Sequence, residues 1–81
     1  MFDINEEILK NLRRKYPKGS KVKLIQMDDP YTTIPKGTIG TVSKVDDAGT
    51  IHVSWETGSS LGIVYGVDEC ELIEKMEEKY E

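Results

Sequence analysis

The sequence predicts a mainly β domain, a small five-stranded barrel with an N-terminal amphipathic helix in front of it. Three observations carry this. Apolar residues recur at helical spacing near the start of the chain, then alternate with polar ones as strands do. Turn-forming residues cut the alternating stretch into five short runs. With 81 residues there is room for one core and no second domain.

Residues 3–15 read as the helix. Ile4, Ile8, Leu9 and Leu12 fall on one face. Asp3 and Glu6 have the spacing of a capping box, with Asp in the usual Ser or Thr place. Acids occupy the first turn and Lys10, Arg13, Arg14 and Lys15 the last, an order that suits the helix dipole. Tyr16-Pro17 ends it, because the residue before proline is pushed out of helical dihedrals. A helix of about 12 residues is marginal alone, so its stripe is expected to dock on the rest.

The first strand is expected from Lys21 to Met27, with Val22 and Leu24 inward. A long connection, Asp28 to Pro35, precedes a second strand from Thr38 to Val45. Gly37 and Gly40 suit a strand that bends or meets a neighbour closely. Asp46, Asp47, Ala48 and Gly49 form a hairpin turn. Ile51, Val53 and Trp55 then alternate with His52 and Ser54, the clearest period-two signal in the chain. A fourth strand is expected from Leu61 to Tyr65, a one-turn crossover at Gly66 to Glu69, and a last strand from Cys70 to Ile73. Five strands this short leave open edges unless the sheet closes, so a barrel of the SH3-like kind is preferred. The parts are then a helix over 1–16, the barrel over 17–73 and a charged tail over 74–81.

Composition narrows function. Apolar residues make up 37% and charged residues 32%, which is globular rather than disordered. No apolar run approaches the roughly 18 residues of a membrane span, and no secretory signal opens the chain. The single cysteine, Cys70, allows no internal disulfide and favours the cytoplasm. The net charge of −4 is uneven: residues 1–23 carry seven bases and three acids, residues 24–81 four bases and twelve acids. The acidic whole argues against general nucleic-acid binding, while the start of the chain leaves room for one basic patch.

Several stretches together resemble a known family. They are Met27 to Tyr31, Ile34 to Val42 (Ile-Pro-Lys-Gly-Thr-Ile-Gly-Thr-Val), Asp46 to Trp55, and Gly58 to Gly62. In this order they are similar to an uncharacterised domain-of-unknown-function family of small bacterial, phage and mobile-element domains, over about residues 16–73. The Lys-Gly-Thr-Ile-Gly-Thr-Val stretch also looks like the glycine pattern of KOW and other SH3-like barrels. The resemblance implies a fold and a genomic habit, and it brings no catalytic residue. The N-terminal helix and acidic tail fall outside it.

Reactive constellations are scarce. His52 and Ser54 share one strand face, which is weak ground for a catalytic pair. One cysteine and one histidine cannot make a zinc site, and Cys70 is expected to pack in the core. Asp28-Asp29 and Asp46-Asp47 lack a calcium-loop ladder and suit turns. Gly58 to Gly62 suits a hairpin turn better than a phosphate cradle, since no helix follows it. No catalytic residue, metal or cofactor is therefore expected, and the chain is not expected to be an enzyme.

Binding surfaces remain. Tyr31 sits in the long first loop, which borders the usual ligand groove of SH3-like barrels, with Asp28 and Asp29 beside it. Tyr65 is a second aromatic candidate. Trp55 shares the face of Ile51 and Val53, which favours core over surface. Arg13, Arg14, Lys15, Lys18 and Lys21, with Lys23, make up the candidate basic patch. The expected function is a non-catalytic interaction module that binds a protein or peptide partner. The alternative is a nucleic-acid-associated accessory domain of a phage or mobile element. No membrane role is expected, and nothing in the sequence selects an oligomeric state.

Overall fold

A computed structural model describes residues 4–27 and 34–75. The chain runs α1 (Glu6–Lys15), β1 (Lys21–Gln26), β2 (Ile39–Val45), β3 (Thr50–Trp55), β4 (Ile63–Val64) and β5 (Glu69–Glu74). All neighbouring strands are antiparallel, in the order β4-β3-β2-β1-β5. The fold is thus mainly β, one sheet plus one short helix. The sheet is open, because no hydrogen-bonded ladder joins β4 to β5 among the described residues.

The helix starts later than the capping-box spacing predicts. Its cap is Asn5, extended at φ −88° and ψ 167°, whose Oδ1 accepts from the Ile8 amide at 2.8 Å. That bond satisfies a donor the first turn leaves unpaired. Asp3 lies outside the described residues. At the other end the Tyr16 amide donates to the Leu12 carbonyl at 2.9 Å before Pro17 stops the helix. Leu9 and Leu12 pack against the core, and no helical side chain is fully buried. The helix therefore lies on the sheet more than in it.

Alternation places the core. Val22 and Leu24 of β1, Val42 and Val45 of β2, Ile51, Val53 and Trp55 of β3, and Ile63 of β4 are buried together with Tyr16 and Ile34. Gly40 stands opposite Trp55 in the β2–β3 register. A Cβ there would collide with Val53 Cγ1 and the Trp55 ring, so the glycine makes room for a side chain rather than for a backbone.

Three bulges bend the sheet. The β1–β5 register skips Ile25 on one strand and Ile73 on the other, and the β2–β3 register skips Ser43. Extra residues of this kind increase local twist. They also explain why Ile25 and Ile73 are exposed despite being apolar.

The fourth strand is shorter than predicted, two residues instead of Leu61 to Tyr65. The cause is Trp55. Its indole Nε1 donates to the Leu61 carbonyl at 2.8 Å, which takes that group out of any ladder. After β4 the chain turns through Tyr65 to Val67. The Asp68 amide donates to the Val64 carbonyl at 2.9 Å, while Asp68 Oδ2 accepts from the Val64 amide at 3.0 Å. This reciprocal pair is the expected one-turn crossover.

Candidate functional site

The candidate residues separate into groups. Tyr31, Asp28 and Asp29 lie outside the described residues. Trp55 is 3% exposed, which leaves it to the core and removes it from the surface candidates. Tyr65 is partly exposed and lines an open groove of about 460 Å³.

Three parts of the chain build that groove. Leu12, Lys15 and Tyr16 come from the helix end, Ile51 and Ile63 from β3 and β4, and Tyr65 to Cys70 from the crossover and the start of β5. Aliphatic side chains dominate the floor, and Val67 stands on the wall at 45% exposure. The volume falls within the roughly 300–1,000 Å³ of ligand pockets. Nothing in the sequence brings Leu12 to Val67, since the two meet only when the helix docks. This groove is the feature that sequence reasoning misses.

Tyr16 and Cys70 both line the groove wall, and each shifts the titration of the other. Burial pushes the Tyr16 phenol up to about 12, with the nearby thiol adding to the rise. Burial also pushes the Cys70 thiol up, against the neighbouring Tyr16 hydroxyl and the charge of Lys15, which pull it down. Both groups stay protonated near neutral pH, so the wall presents no thiolate nucleophile. Cys70 is half-buried at the margin of the core rather than deep in it.

His52 points to the other face of β3 from Ile51. Its Nε2 lies 2.8 Å from Asp46 Oδ2. Asp46 Oδ1 accepts from the amides of Ala48 and Thr50 at 3.0 and 2.9 Å. These bonds, the one from His52 foremost, hold the Asp46 carboxyl below its ordinary range. Asp46 thus does the turn chemistry expected of it, with His52 as an added brace. Ser54 is two residues further along β3, about 7 Å by strand rise, beyond direct reach of the imidazole.

The basic residues are mostly engaged. Arg13 reaches from the helix to the hairpin, with Nη2 2.7 Å from Asp47 Oδ1 and Nε donating to the Val45 carbonyl at 3.3 Å. The Lys15 ammonium sits 5.4 Å from the Tyr16 ring centre, a cation–π contact. Lys21 Nζ donates to Thr41 Oγ1 at 3.1 Å, and Lys23 lies 3.7 Å from Glu71. Arg14 and Lys18 enter no ion pair among the described residues. Those residues also contain no group of three or more His, Cys, Asp or Glu placed to hold a metal, and no helix long and apolar enough to cross a membrane.

A family model described as a domain of unknown function, DUF4314, matches residues 5–73. The match takes in the helix, which the resemblance over 16–73 had left outside. No curated protein and no solved structure matches the chain.

Proposed function

Because the chain belongs to the DUF4314 family, a domain of unknown function, its role has to be argued from its own surface, and we propose that it is a non-catalytic interaction module holding a protein or peptide segment in the groove beside Tyr65. One observation carries this. The groove is open and mostly apolar, Lys15, Asp68 and Glu69 being the charged residues of its lining, and the buried Tyr16 phenol and Cys70 thiol are held protonated. Such a site suits an inserted side chain better than a reaction. A photo-crosslinking residue placed at Val67 tests it in native cells. A discrete protein adduct, absent when the same residue is placed at exposed Lys10, is expected. Equal labelling from both positions overturns the proposal.

The sheet supports a finer structural reading, an SH3-like barrel whose seam between β4 and β5 stays unzipped. Its five short strands, its strand order and the one-turn crossover agree with that reading. The single cysteine supports a reducing cytoplasm as its home, and the resemblance supports a phage or mobile-element setting. A second function, an accessory domain on nucleic acid, rests on the surplus of bases over residues 1–23. The partners already found by Arg13, Lys15, Lys21 and Lys23 weaken it. Binding to single- or double-stranded oligonucleotides that rises as salt falls is its signature, and no binding at low salt removes it.

A further inference from the structure

The groove adjoins a sheet edge, and the two share residues. β5 pairs with β1 alone among the described residues, so its other side is an edge. Glu69 and Cys70 belong both to β5 and to the groove wall. From Glu69 to Leu72 β5 carries no extra residue, and the bulge at Ile73 comes after that stretch. An edge of this kind offers main-chain donors and acceptors to an added strand.

Charge decides what can use it. Asp68, Glu69, Glu71 and Glu74 line the crossover and the edge strand. Lys15 across the groove, Lys23 beside Glu71 and Lys21 opposite Glu74 are the bases that face them. A second copy pairing edge to edge would set glutamates against glutamates, which is unfavourable. A strand bearing lysine or arginine meets the opposite situation.

We propose that the Glu69–Leu72 edge of β5 and the adjoining groove together take up an extended, basic peptide segment. One aliphatic or aromatic side chain of the peptide fills the groove against Val67, Ile63 and Leu12. Lysine or arginine residues immediately before and after it, on the other face of the added strand, face Glu69 and Glu71. This deepens the module reading above and rests on it. It adds the partner's charge and its strand-like backbone.

Selection from a random-peptide display library against the full chain tests both levels separately. Enriched peptides are expected to carry an apolar residue with Lys or Arg at the positions next to it on either side. A synthesised winner is expected to shift the amides of Val67, Glu69 and Glu71 in NMR spectra. The exposed-site variant Glu69→Lys/Glu71→Lys is expected to weaken that winner at least about tenfold while amide dispersion stays native. Winners that are acidic or neutral, or that shift residues elsewhere, overturn the β5 assignment and leave the module reading standing. Self-association through the same amides also overturns it, by making a second copy the occupant. No enrichment at all overturns both.

Discussion

The two faces of the start of β3 are built on different physics. On the His52 side the β2–β3 hairpin is tied by polar groups: Asp46 braces the turn and His52, and Arg13 crosses from the helix to Asp47 and Val45. On the Ile51 side, with Ile63, where the helix end meets the crossover, the surface is mostly apolar and open, and the Tyr16 phenol and Cys70 thiol are kept neutral by burial. The first region spends its polar groups on itself. The second leaves apolar side chains, Val64 and Val67, without cover among the described residues. On the proposed reading stability and recognition are therefore separable here, and substitutions can move one without the other.

The largest effect belongs to the tight pairing of β2 with β3. Gly40→Val drives a branched side chain into Val53 and the Trp55 ring. Overpacking of that kind costs about 3 kcal/mol. The midpoint of urea unfolding is expected to drop markedly with an unchanged slope. A variant as stable as the parent would mean that Trp55 is loosely held and that the hairpin is not the firm half.

Asp46→Ala comes next, removing two turn bonds and the brace on His52 at a cost of about 2 kcal/mol. The acid limb carries its signature. The folded carboxyl is held below 3.8, so its contribution is complete above that value and is lost as pH falls through the folded one. The parent is expected to lose stability on that descent, and Asp46→Ala to lose less. Parallel acid limbs in the two proteins would assign acid sensitivity elsewhere.

Tyr16→Phe probes the groove side with the opposite sign. The phenol is pushed up to about 12 from 10.0, so the stability it gives is present below 10 and disappears as pH rises towards 12. Deleting the hydroxyl costs about 1 kcal/mol at neutral pH and flattens that alkaline limb. It also takes away the hydroxyl that lowers the Cys70 thiol, so alkylation of Cys70 is expected to need higher pH than in the parent. Unchanged alkaline unfolding would show that the phenol is not buried in solution.

Much of the hairpin half was legible in the sequence, and little of the groove half was. The alternation of Ile51, Val53 and Trp55 and the Asp46-Asp47-Ala48-Gly49 turn are local patterns, and local patterns survive folding. The helix start was displaced because Asp3 and Asn5 are both cap-forming residues, and spacing to an acid does not say which one is extended. The length of β4 depends on a bond from Trp55 to Leu61 that exists only after packing. Ile25 and Ile73 read as ordinary strand residues because a bulge leaves no mark on apolar character. The basic cluster looked like one patch because sequence counts charges and cannot show that Arg13 is already spent on Asp47.

The smallest expected effect on stability separates the two halves most sharply. Val67 is 45% exposed on the groove wall, so Val67→Ser removes little buried surface, and a change within about 0.5 kcal/mol is expected in urea. If the groove receives an apolar side chain, the same substitution strips an aliphatic contact from the bound state and weakens capture several-fold. Loss of stability comparable to Asp46→Ala would mean that Val67 is core and that the open half is as self-sufficient as the hairpin. Native stability with weakened binding is the combination that only a recognition surface produces.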